Sequence, residues 1–395
     1  MSSSSYDVAV IGGGPAGCSA AIQLAREGAR VALLEAQTYP HDKLCGEFLS
    51  PECVRLLADL ELPDLMETAG AVSIRQVRFE APGGVAWQTS LPAPAWGLSR
   101  SRLDTLLAER AVQVGVDLYQ RAPASALDGD LQAGFKIEIR PPGGGPASQR
   151  SSTGCILARF VIAAYGKRSA LDRSLGRPFF THPQPYVAFK AHFHGPPLPG
   201  RIRMHVFPGG YCGLSQVEDD ETNLCFLAHT STLQAARRQF AGPPLQSLLD
   251  WMQAHNPALR VWLSQAELAA SGWRSIAQVS FERKQASYAG ALMAGDSAGL
   301  IAPLAGDGIA MALQSGQVAA SQVSAVLSGD RSVAHLPGAY QSAWDRQFRS
   351  RMRLASFLQA VLLRPTWASL VLQLLNRVPS LGDLLVEKTR GSLPV

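Results

Sequence analysis

The chain has 395 residues, of which 47% are hydrophobic and 17% are charged, and its formal net charge is +5 at pH 7. This composition excludes a disordered protein, and the length predicts two domains because a single hydrophobic core rarely grows so large. The basic residues form no tract, so we expect no nucleic-acid binding. The six cysteines contain no Cys-x-x-Cys pair and no signal peptide precedes the first apolar run, which favours a reducing cytoplasm without disulfides or a metal site.

The first apolar run is followed by a turn rich in glycine. Residues 8–11, Val-Ala-Val-Ile, predict a buried parallel strand because they are apolar and rich in β-branched side chains. The turn that follows reads Gly12-Gly13-Gly14-Pro15-Ala16-Gly17. Gly12 permits a tight turn, Gly14 lets the backbone approach a pyrophosphate, and Gly17 lets the next helix pack on the strand.

The elements after this turn complete a nucleotide-binding unit. Residues 15–27 predict a helix, which Gly28 ends, and residues 30–34 predict a second strand. Glu35 follows that strand about 20 residues after the glycines, where an acid accepts hydrogen bonds from a ribose hydroxyl. The glycine pattern alone is a weak signal. In the order strand, turn, helix, strand and acid, it predicts a dinucleotide site.

Apolar runs and turn signals predict a series of further elements along the middle of the chain. Helices are predicted over residues 98–114 and 245–262, and a loop rich in proline, glycine and serine over residues 140–152. Pro82-Gly83-Gly84 predicts a hairpin turn. Strands are predicted over residues 160–163, 186–193, 202–207, 211–217, 223–228 and 292–294.

A second glycine-rich segment lies almost three hundred residues after the first. It reads Gly295-Asp296-Ser297-Ala298-Gly299 and is followed by Pro303 and by Gly306-Asp307-Gly308-Ile309-Ala310, which opens a helix of small residues. The two segments together bracket a ligand two nucleotides long. The pairing therefore indicates that the dinucleotide is FAD.

The order of these elements predicts the fold class. A doubly wound, Rossmann-like α/β domain that binds FAD receives an inserted antiparallel β-sheet that forms a substrate domain, and a helical segment ends the chain. The predicted boundaries are residues 1–75, 96–178 and 276–330 for the FAD-binding domain, 76–95 and 179–275 for the substrate domain, and 331–395 for the C-terminal helical region.

The chain resembles a flavoprotein superfamily that holds p-hydroxybenzoate-hydroxylase-type monooxygenases, geranylgeranyl reductases and flavin-dependent halogenases. Four motifs in the order typical of that superfamily carry the resemblance: the Gly12–Glu35 unit, Arg100-x-x-Leu103-Asp104, Tyr165-Gly166-x-x-Ser169-x-x-x-Arg173 and the Gly295-Asp296 segment. The resemblance implies that Arg100 contacts the FAD phosphates or the flavin and that Asp296 accepts hydrogen bonds from ribityl or ribose hydroxyls. Taken without the other motifs, Arg100 and Asp104 would be an ordinary ion pair within a helix.

The resemblance also defines the expected cofactor site as a whole. It places the N-terminus of the helix that begins near residues 306–309 toward the flavin ring, where it would stabilise the negative charge of reduced flavin. Tyr165 stands where the monooxygenases have aspartate, which puts the usual NAD(P)H docking in doubt and leaves NAD(P)H or another reductant as the electron donor. The predicted FAD-binding residues are Gly12, Gly14, Pro15, Ala16, Gly17, Glu35, Ala36, Cys45, Gly46, Arg100, Gly166, Asp296, Pro303, Gly306, Gly308 and Ile309.

Two residues are candidates for the chemistry itself. Cys45 lies in a Cys-Gly-Glu turn that resembles a turn beside the isoalloxazine in archaeal geranylgeranyl reductases; the alternative is a small buried hydrophobic residue. Tyr211 matches one position of a segment that lines the lipid pocket in that family, where Gly213 replaces a tryptophan. Tyr211 is either a proton donor or hydrogen-bonding anchor above the flavin, or a strand tyrosine with its hydroxyl at the surface. The other five cysteines are expected to be packing residues.

Two further site types are disfavoured. Halogenation is not expected, because no lysine lies between Lys43 and Lys136 and the Trp-x-Trp-x-Ile-Pro motif of halogenases is missing. A metal site at His192, His194 and His205 is not expected either, because these histidines have no carboxylate or cysteine partner at ligand spacing.

The predicted function is that of an FAD-dependent oxidoreductase acting on a small hydrophobic or aromatic molecule. Monooxygenation is favoured; the alternatives are a geranylgeranyl-reductase-like reductase acting on C=C bonds and, outside catalysis, a flavin-binding module. The leucine-rich stretch over residues 354–386 predicts no transmembrane helix. It is expected to cap the substrate domain, or to contact a membrane or carrier that delivers the substrate to a cytoplasmic or membrane-peripheral protein.

Overall fold

A computed structural model describes residues 5–62, 64–140 and 154–389. The predicted loop over residues 140–152 lies outside these residues except for Arg140. The described strands are β1 (Ser5–Ile11), β2 (Val31–Leu34), β3 (Phe48–Leu49), β4 (Val72–Glu80), β5 (Ala86–Gly97), β6 (Asp117–Tyr119), β7 (Ala124–Asp130), β8 (Gly134–Ile139), β9 (Gly154–Ala163), β10 (Tyr186–His194), β11 (Arg201–Phe207), β12 (Gly210–Gln216), β13 (Thr222–His229), β14 (Glu267–Leu268), β15 (Arg274–Val279), β16 (Ser287–Tyr288) and β17 (Ala291–Met293).

The helices connect and cover two sheets. The described helices are α1 (Pro15–Arg26), α2 (Pro51–Asp59), α3 (Leu65–Ala69), α4 (Arg100–Gln113), α5 (Ala170–Ser174), α6 (Thr230–Gln239), α7 (Pro244–His255), α8 (Pro257–Leu263), α9 (Gly308–Leu327), α10 (Leu336–Leu362), α11 (Pro365–Arg377) and α12 (Pro379–Thr389).

The first sheet has the order β16-β17-β9-β1-β2-β6, and β8 and β7 continue from β9. Its centre is parallel, because β1 pairs in parallel with both β2 and β9. The strand residues Val8–Ile11 are buried, and α1 and α9 pack against each other. A Cβ atom on Gly316 of α9 would lie 2.2 Å from the Ala16 carbonyl oxygen, so the two helix backbones are in direct contact. The predicted FAD-binding fold class is confirmed by this sheet and by the second one described next.

The second sheet has the order β14-β10-β13-β12-β11-β4-β5-β3, with β15 also paired to β10. It is antiparallel as predicted, apart from the parallel pair β4–β11. The hairpin β4–β5 precedes α4 in the chain, whereas β11 follows strands β6–β9 of the first sheet. In the second sheet, β4 and β11 run in the same direction. Register partners Val77 and Ile202 therefore present their side chains on the same face.

The single helix predicted over residues 245–262 is wrong, because the chain forms α7 and α8 with a break at Asn256. Pro257 disfavours helical geometry at the residue before it, and Asn256 is extended at φ −134° and ψ 98°. The Asn256 side chain accepts a hydrogen bond from the Leu259 amide at 3.0 Å and so caps α8. Leu248 and Trp262, on either side of the break, pack in one core, which explains why the apolar pattern runs through it.

The leucine-rich end of the chain forms α10, α11 and α12, and α11 and α12 each begin at a proline. Among the described residues, no single helix has the length and apolar character needed to cross a membrane. Residues Val333–Leu362 and Pro365–Arg377 meet that requirement only as a pair, and they bend by 111° where they join. Most of α10 packs in the core of the first sheet, whereas its last residues, with α11 and α12, pack near the second sheet on the face opposite α7 and α8. The domain boundaries proposed above remain a prediction.

Candidate functional site

One cavity of about 640 Å³ extends from the N-terminus of α1 to the C-terminal helices. The glycine-rich turn, the Cys45–Glu47 turn and the start of α9 line one end of it, which we call the nucleotide end. Side chains of the second sheet and of α10, α11 and α12 line the other end, which we call the apolar end. The apolar end includes Val77, Phe79, Trp87, Leu91, Ile202, Met204, Leu358, Leu362, Val371, Leu372, Leu375, Leu385 and Val386.

The glycine-rich turn has the close backbone contacts expected of it. Gly12 has φ +107°, and a Cβ atom there would lie 2.4 Å from the Ala164 carbonyl oxygen. A Cβ atom on Gly17 would lie 1.8 Å from the Gly12 carbonyl oxygen. Gly12 and Gly17 thus permit the turn itself, whereas Gly14, Pro15 and Ala16 line the cavity.

Glu35 lies at the cavity wall, where the sequence places an acceptor for a ribose hydroxyl. Its carboxylate is 4% exposed and accepts hydrogen bonds from the Gly13 amide at 2.9 Å and from Lys43 Nζ at 3.1 Å. Burial raises the pKa of Glu35, but Lys43 and the backbone donors outweigh burial and hold it below 4.5. The side chain is therefore a charged acceptor at neutral pH.

Two cations face the N-terminus of α1. Arg100 forms an ion pair with Asp104 at 2.7 Å and also lines the cavity, so the within-helix pair and the ligand contact are compatible. A Cβ atom on Gly14 would point into the space beside Arg100 Nη2, 3.4 Å away, and Lys43 Nζ, 4.0 Å away. Helix amides together with arginine and lysine are the donors that a pyrophosphate needs. This end of the cavity fits the two phosphates of FAD.

The second glycine-rich segment lies on the opposite wall of the nucleotide end. Asp296 lines the cavity and forms an ion pair with Lys167 at 3.3 Å. Gly166, Pro303, Gly306 and the first residues of α9 also line the cavity. No side chain of the described residues caps the N-terminus of α9. Because Gly308 and Ile309 line the cavity, the positive dipole end of α9 faces its nucleotide end. Lys167 was missed in the sequence, although it directly follows the predicted Gly166.

Buried groups from the second sheet hold the Cys45-Gly46-Glu47 turn. The Asn223 amide donates to the Cys45 carbonyl at 3.0 Å. Glu47 is fully buried and forms ion pairs with Lys190 and with His192 Nε2, the latter at 2.6 Å. The Arg100 amide donates to Glu47 Oε1 at 2.7 Å. The turn is thus tied to β10, β13 and the N-terminus of α4.

Glu47, Lys190 and Asn223 were not predicted from the sequence, and His192 was expected to have no carboxylate partner. Burial raises the pKa of Glu47, but Lys190 and His192 outweigh it and lower that pKa below 4.5. Burial lowers the pKa of His192, but the bond to Glu47 outweighs it and raises that pKa above 6.5. Lys190 and His192 lie on one face of β10 and alternate along the strand with apolar residues on the other face. This alternation is the only signal that the sequence offered. The described residues contain no group of three or more potential metal ligands.

Cys45 and Tyr211 both line the cavity. Tyr211 is 4% exposed, so the alternative with its hydroxyl at the surface is wrong. The hydroxyl donates to Gln359 Oε1 of α10 at 3.2 Å. Burial raises the pKa of Tyr211 well above 10.0, so the hydroxyl keeps its proton at neutral pH. Cys225 also lines the cavity and Cys155 is exposed, which corrects the expectation that both are packing residues.

Tyr165 stands where the monooxygenases have aspartate, and protein contacts hold its side chain. Its hydroxyl donates to Asp172 Oδ1 at 2.7 Å, and Arg177 Nη1 donates to the same oxygen at 3.1 Å. Arg177 also reaches the Ser297 carbonyl at 2.8 Å. This buried cluster joins the third and fourth motifs through protein contacts alone.

Comparisons with known proteins agree with the cofactor end of this site. The menaquinone reductase of Mycobacterium tuberculosis (strain ATCC 25618 / H37Rv) is 28% identical over 384 residues, which cover 92% of this chain and 86% of that protein. The digeranylgeranylglycerophospholipid reductase of Methanosarcina mazei is 26% identical over 352 residues, covering 86% and 80%. The solved structure of the flavin-dependent brominase Bmp2 superposes with a TM-score of 0.79 at 20% identity, covering 98% and 93%, and at that identity it shows the fold alone. A model of the FAD binding domain family matches residues 5–346, and the chain belongs to that family.

Proposed function

We propose that this FAD-dependent oxidoreductase reduces a C=C bond in a long hydrophobic substrate of isoprenoid type. The observation that carries the proposal is the apolar end of the cavity, which continues from the nucleotide end and is enclosed by the second sheet and three helices. A small aromatic substrate does not need such an extension. An unbranched or isoprenoid chain fills it and gains the free energy of burying apolar surface.

The names of the two curated relatives point in the same direction. Menaquinone and digeranylgeranylglycerophospholipid both contain long isoprenoid chains, and both relatives are named as reductases. Gly213 stands where the resembling family has a tryptophan, so the pocket wall is reshaped there, and Met204 occupies part of the space beside it. A Cβ atom there would lie 3.3 Å from Met204 Sδ, which is itself part of the cavity wall.

Reduction of a C=C bond adds one hydride and one proton. FAD held at the nucleotide end by the glycine-rich turn, Arg100 and Asp296 would supply the hydride after reduction by an external donor. We assign the proton to the Cys45 thiol, which lines the cavity on the turn that Asn223 and Glu47 hold in place. Burial lowers the pKa of Arg100, but its contacts with Asp104 and Cys45 outweigh burial and raise it, so this cation is permanent. Tyr211, which holds its proton tightly, anchors the substrate instead.

Oxygenation is the second candidate, because the same apolar wall excludes water from the reacting end of the cavity. The two reactions differ in their oxygen requirement. Under strict anaerobiosis, protein reduced with dithionite and given geranylgeraniol is expected to yield a product heavier by two hydrogens that has lost one C=C bond. A product formed only in air and containing a new oxygen atom would replace reduction with oxygenation.

A variant that fills the apolar end of the cavity tests the substrate class separately from FAD binding. Leu372 is 1% exposed and lines the apolar end, so Leu372→Trp is expected to reduce turnover of long chains at least tenfold while FAD content stays the same. Gln373→Trp on the exposed side of the same helix is the matched control. Equal turnover of long chains by both variants would contradict the assignment of the apolar end to substrate.

A further inference from the structure

Exposed hydrophobic side chains concentrate on the C-terminal helices. Nine large hydrophobic residues are exposed in the described part of the chain, and six of them lie between residues 357 and 384. We call these six the outer apolar face: Phe357, Trp367, Leu370, Leu374, Val378 and Leu384. Scattered exposed hydrophobic residues are ordinary, but a concentration on adjoining helices marks an interaction surface.

Helix α11 is apolar on both sides. Trp367, Leu370 and Leu374 are 53%, 56% and 47% exposed, and their spacing of three and four residues puts them on one stripe. Leu372 and Leu375 are buried on the other side and line the cavity. A helix with an apolar stripe on each of two opposite sides normally buries both. The outer stripe of α11 is therefore expected to be covered when the protein works.

The charges around this face identify what covers it. Basic residues flank both ends of α11, since Arg364 directly precedes it and Arg377 ends it. Among the described side chains from residue 353 to 388, the exposed charged ones are Arg353, Arg364, Arg377, Asp383 and Lys388. Asp383 accepts a hydrogen bond from Thr89 at 2.9 Å. Four cations around exposed Trp and Leu side chains are complementary to anionic lipid headgroups over acyl chains. A second copy of the chain would bring like charges together.

We propose that the outer apolar face docks on the surface of an anionic lipid bilayer. The apolar end of the cavity begins on the inner side of α11, so about one helix diameter, ~10 Å, separates the docking surface from the cavity. Docking brings the bilayer to that distance from the apolar end of the cavity, so that a substrate dissolved in the bilayer enters past α11. This route for the substrate rests on the proposed function, whereas docking itself does not.

Vesicle binding by the FAD-loaded protein tests the docking without any turnover. We expect the wild type to sediment with vesicles of phosphatidylcholine and phosphatidylglycerol, and much less with phosphatidylcholine alone. The double variant Leu370→Ser/Leu374→Ser is expected to bind about tenfold or more weakly, because two apolar side chains leave the acyl layer. The double variant Arg364→Gln/Arg377→Gln is expected to lose the preference for phosphatidylglycerol, as is the wild type at high salt.

The matched control is Val261→Ser/Leu268→Ser, which removes two exposed hydrophobic residues outside the outer apolar face. It should bind vesicles like the wild type, and unchanged FAD content shows that each variant is folded. Absence of vesicle binding by the wild type, or equal binding by the control and the α11 variant, overturns the proposal. So does a wild-type dimer, without vesicle binding, that Leu370→Ser/Leu374→Ser converts to a monomer. Vesicle binding without reduction of any C=C bond would keep the docking and reject the proposed function.

Discussion

The two ends of the cavity are built on different principles. At the nucleotide end, helix termini and paired ions such as Arg100–Asp104 and Lys167–Asp296 define individual positions. At the apolar end, side chains from the second sheet and three helices form one continuous wall. The nucleotide end selects individual ligand atoms, because each hydrogen bond needs a donor and an acceptor in a defined direction. The apolar end selects its ligand by little more than the ligand's length and apolar character, so many different sequences can form such a wall.

The largest expected effect concerns the ion pairs behind the nucleotide end. Glu47→Gln removes the nearest carboxylate from the buried Lys190 and His192, which keep only the longer pairs to Asp42 at 3.6 Å and to Glu221 at 3.3 Å. We expect a loss of about 3 kcal/mol in the free energy of unfolding. Denaturant titration of the FAD-loaded protein measures it. Glu61→Gln is the matched control, because Glu61 also pairs with two cations, Arg26 and Arg110, but is 57% exposed. Its loss should stay below about 1 kcal/mol. Equal losses would show that the buried network stabilises no more than a surface pair.

The next effect separates FAD binding from folding. Gly14→Val places methyl groups in the space beside Arg100, and we expect FAD affinity to fall by a hundredfold or more, about 3 kcal/mol. Flavin absorbance after gel filtration reports the loss. Gly338→Val provides the control, since a Cβ atom on that exposed helical glycine meets nothing within 4 Å. Stoichiometric FAD in Gly14→Val would reject the assignment of this space to the pyrophosphate.

A smaller effect follows from pH. The raised pKa of His192 means that its charged form stabilises the fold below about 6.5, its ordinary value, and that this contribution disappears as pH rises through the folded-state pKa. The lowered pKa of Glu47 keeps that carboxylate charged above 4.5. The wild type should therefore exceed His192→Gln in stability by more at pH 6 than at pH 9. A difference that does not change with pH would mean that the imidazole bonds Glu47 in its neutral form. Lys190 and Glu221 face the same ring and belong in any fit of the profile.

The smallest expected effect on stability concerns the thiol in the Cys-Gly-Glu turn. Cys45→Ala should cost on the order of 1 kcal/mol or less, yet shift the flavin absorbance or redox potential and slow reduction of the substrate. Cys53→Ala removes a fully buried thiol that does not line the cavity, so it should affect stability without changing the flavin spectrum. A spectrum, potential and rate unchanged in Cys45→Ala would return this residue to a packing role.

The contrast between the two ends also explains what the sequence could predict. Gly12, Gly17 and Glu35 were found because backbone contact and charge demand particular residue types at fixed spacing. Glu47 and Lys190 were missed because 143 residues separate them and only the assembly of the second sheet, which contains both β3 and β10, makes them neighbours. The break at Asn256 did have a local signal, the Asn-Pro step, which the continuous apolar pattern obscured.

In the sequence, only the leucine-rich composition of residues 354–386 indicated the apolar end of the cavity. Leu372 and Leu370 have the same chemistry, but one lines the cavity and the other is exposed. Which side of α11 faces inward depends on the bend after α10, and no residue pattern encodes that angle. The sequence thus predicted helices and a capping role there, but neither the cavity wall nor the outer apolar face.

The backbone contact between α1 and α9 also determines when the cofactor site can form during synthesis. Ala16 meets Gly316, and a Cβ atom on Gly295 would lie 3.0 Å from the Ala16 side chain. A nascent chain that ends before residue 295 therefore has the complete N-terminal motif without its second wall. Pairing across such a sequence distance is slow, because the loop must close before the contact contributes stability. Ribosome-bound chains are therefore expected to acquire FAD only after α9 has emerged.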